Sequence, residues 1–411
     1  MKILYVCDYL ITFILNEIIE LKRMGNDVYI LPNHYDAWVK SYVIQPILSE
    51  NGLCNKIFIR DYAYNNKRQK LFYLISTIVS DFFRHPKFTL RWLSNMLKTY
   101  THMGDGTECY LDTRQFFNKT FDIIHSPFST PLIMDKVYYI SKSMNIPYTL
   151  SFRAHDIYLD RLKHETQKRF HIINEASHLI TIALFNKHSL KNRFNIDKNI
   201  DIIHGSINTE FFKRKHESRP SNSIISICRF DEQKGLIYLL KACHTLHQRN
   251  VKYKCTLIGE GEEKEKYIKI INDLQIPDIN FMGFLQQGEI KEFLDRSTVS
   301  VLPCVTSSNG SKDILPNSLK EAMSMEVPVV TSRINGIEEL VDDGINGILV
   351  PPENPEAIAD AIVLLFSNPD LRKKMGKEAR KKIQKDFNVR VEAKKLEAIF
   401  KTAVLSAATS L

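Results

Sequence analysis

The residues best suited to chemistry lie in the segment 301–323, which reads VLPCVTSSNGSKDILPNSLKEAM. Its apolar beginning predicts a strand, a polar loop follows, and Pro316 favours the start of a helix. The amide groups of Asn317, Ser318 and Leu319 would precede the first intrahelical hydrogen bond, which leaves them available to an anion. The segment therefore predicts an anion site at the start of this helix.

Two carboxylates belong to the same segment. Glu321, one turn into the helix, could accept hydrogen bonds from both hydroxyls of a ribose, and Asp313, on the preceding loop, could reach a sugar. The alternative for Glu321 is a first-turn acid that only complements the helix dipole.

Two further groups of candidates follow other predicted strands. Arg229 and Lys234 lie on a strand-to-helix loop, where two cations can converge on a pyrophosphate and neutralise a departing diphosphate. The alternative is that Lys234 caps a surface turn. Gly259 and Gly261 lie on the loop after the next strand, where glycine allows close approach of a ligand or simply forms a tight turn.

The first half of the chain contributes a histidine. His155 follows the predicted strand Tyr148–Phe152, and its imidazole could hydrogen-bond a sugar or a developing charge near neutral pH. A structural histidine is the alternative, and His125 has the same two interpretations. Asp342 and Asp343 resemble a metal-binding pair, but the glycines around them favour a turn.

Two series of alternating strands and helices must position these residues. Such alternation predicts parallel sheets with right-handed crossovers, and hence two doubly wound α/β domains with a ligand cleft at the carboxyl ends of their strands. The predicted division is an N-terminal domain, 1–208, a C-terminal domain, 209–387, and a terminal helical segment, 388–411. The polar run Lys213–Ser223 predicts the linker between the domains.

An irregular stretch, about 62–110, is rich in aromatic and basic residues and predicts two amphipathic helices separated at Pro86. Residues 55–120 hold 11 Lys and Arg against 5 Asp and Glu, whereas the whole chain of 411 residues has a net charge of +9. One interpretation is a helical insertion packed on the sheet with a solvated basic face. The other is a surface for peripheral contact with an anionic membrane.

Other features exclude several classes of protein. The seven cysteines are scattered and form no C-x-x-C pair, which argues against a disulfide framework or a zinc site. The start of the chain reads as a buried strand rather than a signal peptide, and the apolar run Leu71–Val79 is too short to span a bilayer. We expect a cytoplasmic location, with peripheral binding at the inner face of the plasma membrane as an option. The sequence contains no recognised nucleic-acid module, so we expect no nucleic-acid partner.

Taken together, the ordered segments resemble the retaining glycosyltransferases of the GT-B fold, in particular the group 1 (family 4) type that builds bacterial surface polysaccharides. The resemblance covers nearly the whole chain. The segments that carry it, in chain order, are TFILNEI, RAHDIY, IIHGSINTEFF, CRFDEQKGL, LIGEGEE, VLPCVTSSNGSKDILPNSLKEAM and VPVVTSRINGIEELVDDGINGILVPP.

The resemblance implies a nucleotide-sugar donor, most commonly a UDP-sugar, transfer of a hexose with retention of configuration, and neither a catalytic metal nor another cofactor. It implies that Arg229 and Lys234 hold the diphosphate and that Glu321 holds the ribose. Asp313 and the amides around Asn317 would face the donor sugar and phosphate.

The resemblance also assigns roles outside the nucleotide site. His155 would be supplied from the N-terminal domain, and Gly259 and Gly261 would belong to the donor site. The terminal helix would cross back to the N-terminal domain, and the insertion 62–110 would face the acceptor, a glycan or lipid-linked glycan.

Two positions depart from the family pattern. The first acid of the family's E-x(7)-E motif is Asp313 here, one methylene shorter, and the next residue, commonly glycine, is Ile314. Both departures bear on the identity of the donor sugar. They also motivate an alternative, in which the chain is an inactive nucleotide-sugar-binding protein that serves as a partner or regulatory subunit.

Overall fold

Each half of the chain folds around one six-stranded sheet in which every pair of neighbouring strands is parallel. The computed structural model describes residues 1–33, 44–58, 67–99, 109–116, 118–158, 160–216 and 222–409. The strands of the first sheet, in chain order, are β1 Lys2–Cys7, β2 Asp27–Pro32, β3 Ile123–Ser126, β4 Tyr148–Phe152, β5 His178–Thr181 and β6 Ile200–Ile202. Those of the second are β7 Ser223–Ile227, β8 Lys254–Ile258, β9 Ile279–Phe281, β10 Val299–Leu302, β11 Val329–Ser332 and β12 Ile348–Val350.

Helices connect the strands and cover both faces of each sheet. In the N-terminal half they are α1 Thr12–Arg23, α2 Ile44–Glu50, α3 Lys67–Arg84, α4 Pro86–Thr99, α5 (residues 109–113), α6 Pro131–Met144, α7 Ala154–Tyr158, α8 Asp160–Lys168, α9 Phe170–Glu175 and α10 Leu184–Phe194. In the C-terminal half they are α11 Leu236–Gln248, α12 Lys264–Asp273, α13 Gln287–Asp295, α14 Asn317–Ser324, α15 Pro355–Ser367, α16 Pro369–Asp386 and α17 Val389–Thr409.

The strand orders locate the points where ligands can enter. The first sheet runs β2-β1-β3-β4-β5-β6 and the second β12-β11-β10-β7-β8-β9, so the winding reverses between β1 and β3 and between β7 and β10. At such a reversal the flanking loops diverge and leave a crevice beyond the carboxyl ends of the strands. The prediction of two doubly wound α/β domains is confirmed.

Two chain segments join the halves and lie side by side. The amide of Ile207 donates to the carbonyl of Phe387 at 3.0 Å, and the amide of Val389 donates to the carbonyl of Ile207 at 3.0 Å. The helix α17 that follows packs on the N-terminal half, where Phe400 is fully buried beside His125, with ring centroids 5.1 Å apart. The boundaries at 208 and 387 themselves stay predictions.

The insertion contains the two predicted helices, α3 and α4, and it packs on the N-terminal domain. Trp92 of α4 is buried between Tyr110 and Tyr139, with ring centroids 4.1 and 6.3 Å away. Asp81 of α3 accepts hydrogen bonds from the Tyr110 hydroxyl at 2.8 Å and from the Arg114 guanidinium at 3.0 and 3.1 Å. The two helices therefore pack on neighbouring helices of the N-terminal domain, whereas the solvated basic face stays a prediction.

The opposite side of α3 carries an apolar stripe that points to solvent. Phe72, Ile75, Val79 and Phe83 recur at the spacing of one helix face and are between 52% and 80% exposed. Across the described ranges, no helix is long and apolar enough to cross a membrane.

Candidate active site

A cavity of about 560 Å³ lies between the carboxyl ends of the two sheets. The N-terminal half contributes residues that follow five of its strands, namely Asp8 after β1, Phe128 and Thr130 after β3, Arg153 after β4, Ile182 after β5 and Gly205 after β6. The C-terminal half contributes four residues predicted from the sequence, namely Arg229, Lys234, Asp313 and Asn317. The winding reversals of both sheets thus meet in one cleft.

The two predicted cations follow β7. Arg229 is 72% exposed and donates to the Asp231 carboxylate at 2.7 Å, whereas Lys234 is largely buried and forms an ion pair with Asp313. Burial alone would lower the pKa of Lys234, but the adjacent Asp313 carboxylate raises it, so the ammonium stays charged. The site therefore holds one exposed and one buried cation.

The chain turns sharply after Lys234, and this turn requires glycine. Gly235 has φ +65°, and a Cβ there would lie 2.0 Å from the carbonyl oxygen of Pro303. The turn brings the start of α11 against the segment after β10. That contact sets the distance between Lys234 and Asp313.

The loop after Asp313 enters α14 through a strained residue. Leu315 is buried and has φ +49°, in the left-handed region that a leucine rarely adopts. Ile314 and Leu315 both line the cavity. The strain is located at the wall that would face a ligand.

The first three residues of α14 are the predicted Asn317, Ser318 and Leu319. Their amides precede the bond from the amide of Lys320 to the carbonyl of Pro316 at 3.3 Å. Asn317 lines the cavity, and the side chain of Leu319 is buried in the core. The start of α14 therefore faces the cavity as an anion site would.

Glu321 faces a second cavity of about 190 Å³, which adjoins the first along Ile11, Phe13 and Asn317. The carboxylate is only 9% exposed, and none of the hydrogen bonds found in the described ranges involves it. Burial raises its pKa to about 7, against a lowering by the neighbouring Lys320. Glu321 is therefore a buried acceptor with unused capacity, unlike an acid that merely complements a helix dipole.

The predicted glycines have a different position. Gly259 and Gly261 pack against the loop after β7, where a Cβ would lie 1.9 Å from the carbonyl oxygen of Cys228 and 2.3 Å from that of Phe230, respectively. Neither lines the two cavities. They hold the Arg229 loop in place, and a direct role in donor binding stays a prediction.

The backbone of His155 lies in the short helix α7, directly after β4, and its side chain is outside the described part of the structure. Its catalytic role stays a prediction. His125 is structural: it is buried, its Nδ1 lies 2.8 Å from the Thr149 hydroxyl, and burial lowers its pKa to about 3. Asp342 and Asp343 form the predicted turn, with Asp342 bonded to Asn346 at 2.9 Å.

Four charged residues of the cavity were not predicted from the sequence: Asp8, Arg153, Asp156 and Lys320. Asp8 follows β1 and accepts a hydrogen bond from the Thr130 hydroxyl at 2.6 Å. A charged residue directly after a buried strand was the signal available for Asp8 and Arg153. Lys320, next to Glu321 on α14, carried no such signal.

Comparison with known proteins gives a family match for part of the chain and a fold match for nearly all of it. Residues 208–382 match the family model described as Glycosyl transferases group 1. The amylovoran biosynthesis glycosyltransferase AmsK of Erwinia amylovora is 32% identical over 177 residues, which are 43% of this chain and 44% of AmsK. The chain thus matches less than half the length of this relative.

Two solved structures resemble the whole chain. A glycosyltransferase from Rickettsia africae ESF-5 has a TM-score of 0.72 at 17% identity, covering 98% of both chains. Anabaena Alr3699/HepE, solved in complex with UDP, has a TM-score of 0.69 at 13% identity, covering 98% of this chain and 100% of that one. At such identities the likeness concerns the fold, and it confirms the GT-B architecture expected from the sequence.

Proposed function

We propose that this chain is a group 1 glycosyltransferase, the family whose model matches residues 208–382, and that it transfers a hexose-type sugar, with retention of configuration, from a nucleotide sugar to a glycan or lipid-linked glycan acceptor. We propose surface polysaccharide biosynthesis as its pathway. The observation that carries the proposal is the convergence of Arg229, Lys234 and the start of α14 on one cavity, with Glu321 in the adjoining one.

The donor is proposed to lie across these two cavities. Arg229 and Lys234 would neutralise the diphosphate, the amides of Asn317 and Ser318 would bind a phosphate oxygen, and Glu321 would accept the ribose hydroxyls. The fold neighbour HepE binds UDP, which supports a UDP-sugar. The relationship to AmsK, an amylovoran biosynthesis enzyme, supports a polysaccharide product.

The proposed reaction is a front-face displacement. An acceptor hydroxyl oxygen attacks the anomeric carbon, the bond from that carbon to the phosphate oxygen breaks, and the hydroxyl proton passes to the departing phosphate. Arg229 and Lys234 would stabilise the charge that develops on the leaving group, which is the task a metal performs in other transferases. We therefore propose that no metal is needed.

Donor binding is proposed to exchange the partner of Lys234. Lys234 is paired with Asp313, and a diphosphate that takes this ammonium would release the Asp313 carboxylate toward the sugar. The shorter Asp313 and the bulk of Ile314 then narrow the range of sugars that fit.

The acceptor is proposed to arrive from the side of the insertion. The apolar stripe of α3 (Phe72, Ile75, Val79 and Phe83) lies in the region with a surplus of basic residues, a combination that favours binding to anionic lipid. We propose peripheral contact with the inner face of the plasma membrane through this stripe. Co-sedimentation with phosphatidylglycerol vesicles tests it: the wild type should bind, and a Phe72→Ser/Phe83→Ser variant should not.

The first experiment on the reaction is nucleotide release from a panel of UDP-, GDP- and ADP-sugars, with and without EDTA. The wild type should release nucleotide from one donor in both conditions, Lys234→Ala and Glu321→Ala should not, and the exposed Lys241→Ala should behave as wild type. Proton NMR of the product anomer then tests retention. Binding of a nucleotide without any release would support the inactive binding protein, and no binding at all would refute the donor site.

A further inference from the structure

Two cations that the proposed diphosphate site does not use meet at Gly205. Lys320 reaches there from α14 and Arg153 from the end of β4, so that a methyl group built on Gly205 would lie 3.4 Å from Lys320 Nζ and 3.5 Å from Arg153 Nη1. Both side chains line the main cavity. One comes from each domain, and the pair therefore lies at the domain junction.

The contacts of these cations are with neutral groups. Lys320 Nζ donates to the carbonyl of Gly205, and Arg153 Nε donates to the carbonyl of Pro127 at 3.0 Å. The Arg153 guanidinium also lies over the rings of Phe13 and Phe128, 4.6 and 5.3 Å from their centroids. Within the described ranges, neither Arg153 nor Lys320 has a carboxylate within ion-pair distance.

Burial lowers the pKa of Arg153, and Glu17 and Asp156 oppose that shift from beyond ion-pair distance, while the hydrogen bonds of these carboxylates go to other groups. Glu17 accepts from the Tyr5 hydroxyl at 2.8 Å, Asp313 is paired with Lys234, and Asp156 accepts the amides of Arg153 and Ser129 at 2.9 and 3.2 Å. Lys320 is only 1% exposed. Burial lowers the pKa of Lys320 to about 7, so an anion bound beside it would favour its charged form. Because buried charges in proteins are normally paired, two basic side chains held by neutral partners at a cavity wall indicate that the ligand supplies the anion.

We propose that Arg153 and Lys320 bind the carboxylate of the donor sugar, so that the donor is a nucleotide-linked uronic acid. The proposal rests on the proposed transferase function. The planar guanidinium offers two parallel donors that match a carboxylate, and the rings of Phe13 and Phe128 fix its plane. The carboxylate serves recognition only and takes no part in bond making.

Arg153 and Lys320 could equally bind a phosphate group on the acceptor. The experiment therefore distinguishes a carboxylate on the donor sugar from a phosphate on the acceptor. Titration calorimetry would measure the affinity for three pairs of donors: UDP-glucuronic acid and UDP-glucose, UDP-galacturonic acid and UDP-galactose, and GDP-mannuronic acid and GDP-mannose. Free UDP, GDP and ADP would be measured alongside them. The proteins are the wild type, Arg153→Gln, Lys320→Gln, the conservative Arg153→Lys, and the exposed control Lys241→Gln.

We expect one uronic acid donor to bind the wild type about tenfold more tightly than its neutral partner, as a charge-assisted hydrogen bond would provide. Arg153→Gln and Lys320→Gln should each reduce that ratio to about twofold. Arg153→Lys should retain part of it, and Lys241→Gln all of it. Because the two affinities are compared within the same protein, any general effect of a variant on nucleotide binding cancels.

The possible failures are distinguishable. If none of UDP, GDP and ADP binds, the proposed function itself is refuted. If a nucleotide binds but every uronic acid donor binds no better than its neutral partner, only this inference is wrong. Equal donor affinities together with binding of inorganic phosphate that requires Arg153 and Lys320 would assign the pair to the acceptor and overturn the donor assignment. Should Lys320→Gln fail to fold, Arg153→Gln decides alone.

Discussion

Replacing Glu321 by glutamine should stabilise the protein in the absence of nucleotide, although the same change should abolish donor binding. The Glu321 carboxylate is 9% exposed, and burial raises its pKa from the usual 4.5 to about 7. At ~1.4 kcal/mol for each tenfold change in proton affinity, ionised Glu321 costs about 3 kcal/mol of folding free energy. Glutamine has nearly the same side-chain shape as glutamate, but it never ionises.

The pH dependence gives this prediction its sign. Because the pKa of Glu321 is higher in the folded chain than in the unfolded one, the folded state binds the proton more tightly, and the wild type loses stability as the pH rises from 4.5 to about 7. The advantage of Glu321→Gln should therefore be near zero at pH 4.5 and level off at about 3 kcal/mol above pH 7.

Urea unfolding at pH 5, 6, 7 and 8 without nucleotide provides the measurement. The matched control is Glu378→Gln on the exposed side of α16, where the carboxylate pairs with Lys381 at 2.7 Å; its effect should stay within about 0.5 kcal/mol at every pH. A gain that is the same at pH 5 and pH 8, or a loss of stability at pH 8, would refute the assignment of Glu321 as a buried, destabilised acid.

Substitutions at three other positions test the residues that support the cavity and its charges. Gly259→Ala should lower the unfolding free energy by about 3 kcal/mol or more, because its Cβ would overlap a carbonyl at φ +134°, whereas Gly288→Ala, with open space around it, should be neutral or stabilising in thermal melts. Phe400→Ala should lower the unfolding free energy by about 3–5 kcal/mol, which hydrogen exchange would detect as faster exchange of the amides in β1 and β3. Asp313→Asn removes the charge that raises the pKa of Lys234, so burial should then dominate; the loss of nucleotide release at alkaline pH should begin at a lower pH than in the wild type.

The sequence predicted the strands and helices of the C-terminal half well, because fully buried parallel strands are continuous apolar runs and the turns between them carry glycine or proline. In the N-terminal half, β5 and α10 were not foreseen. Strand β5 has only four residues, and α10 is mostly polar without a clear apolar stripe along one face.

The candidate site was predictable where its residues follow strands in a recognisable order, as Arg229, Lys234 and Asp313 do. Arg153 and Lys320 could not be paired from the sequence, since their meeting point depends on how the two domains pack. The left-handed φ of Leu315 likewise has no signal in the sequence. Local sequence patterns thus predict the loops that line the cleft, whereas the pairing of charges inside the cleft depends on tertiary structure.

The path of α17 has a consequence for biosynthesis on the ribosome. The N-terminal sheet is complete at Ile202, but part of its hydrophobic cover, including Leu396 and Phe400, is translated only after the entire C-terminal sheet. The N-terminal domain therefore emerges first and finishes folding last. Until then its uncovered surface is exposed in the nascent chain, which makes this half a natural client for a chaperone during translation.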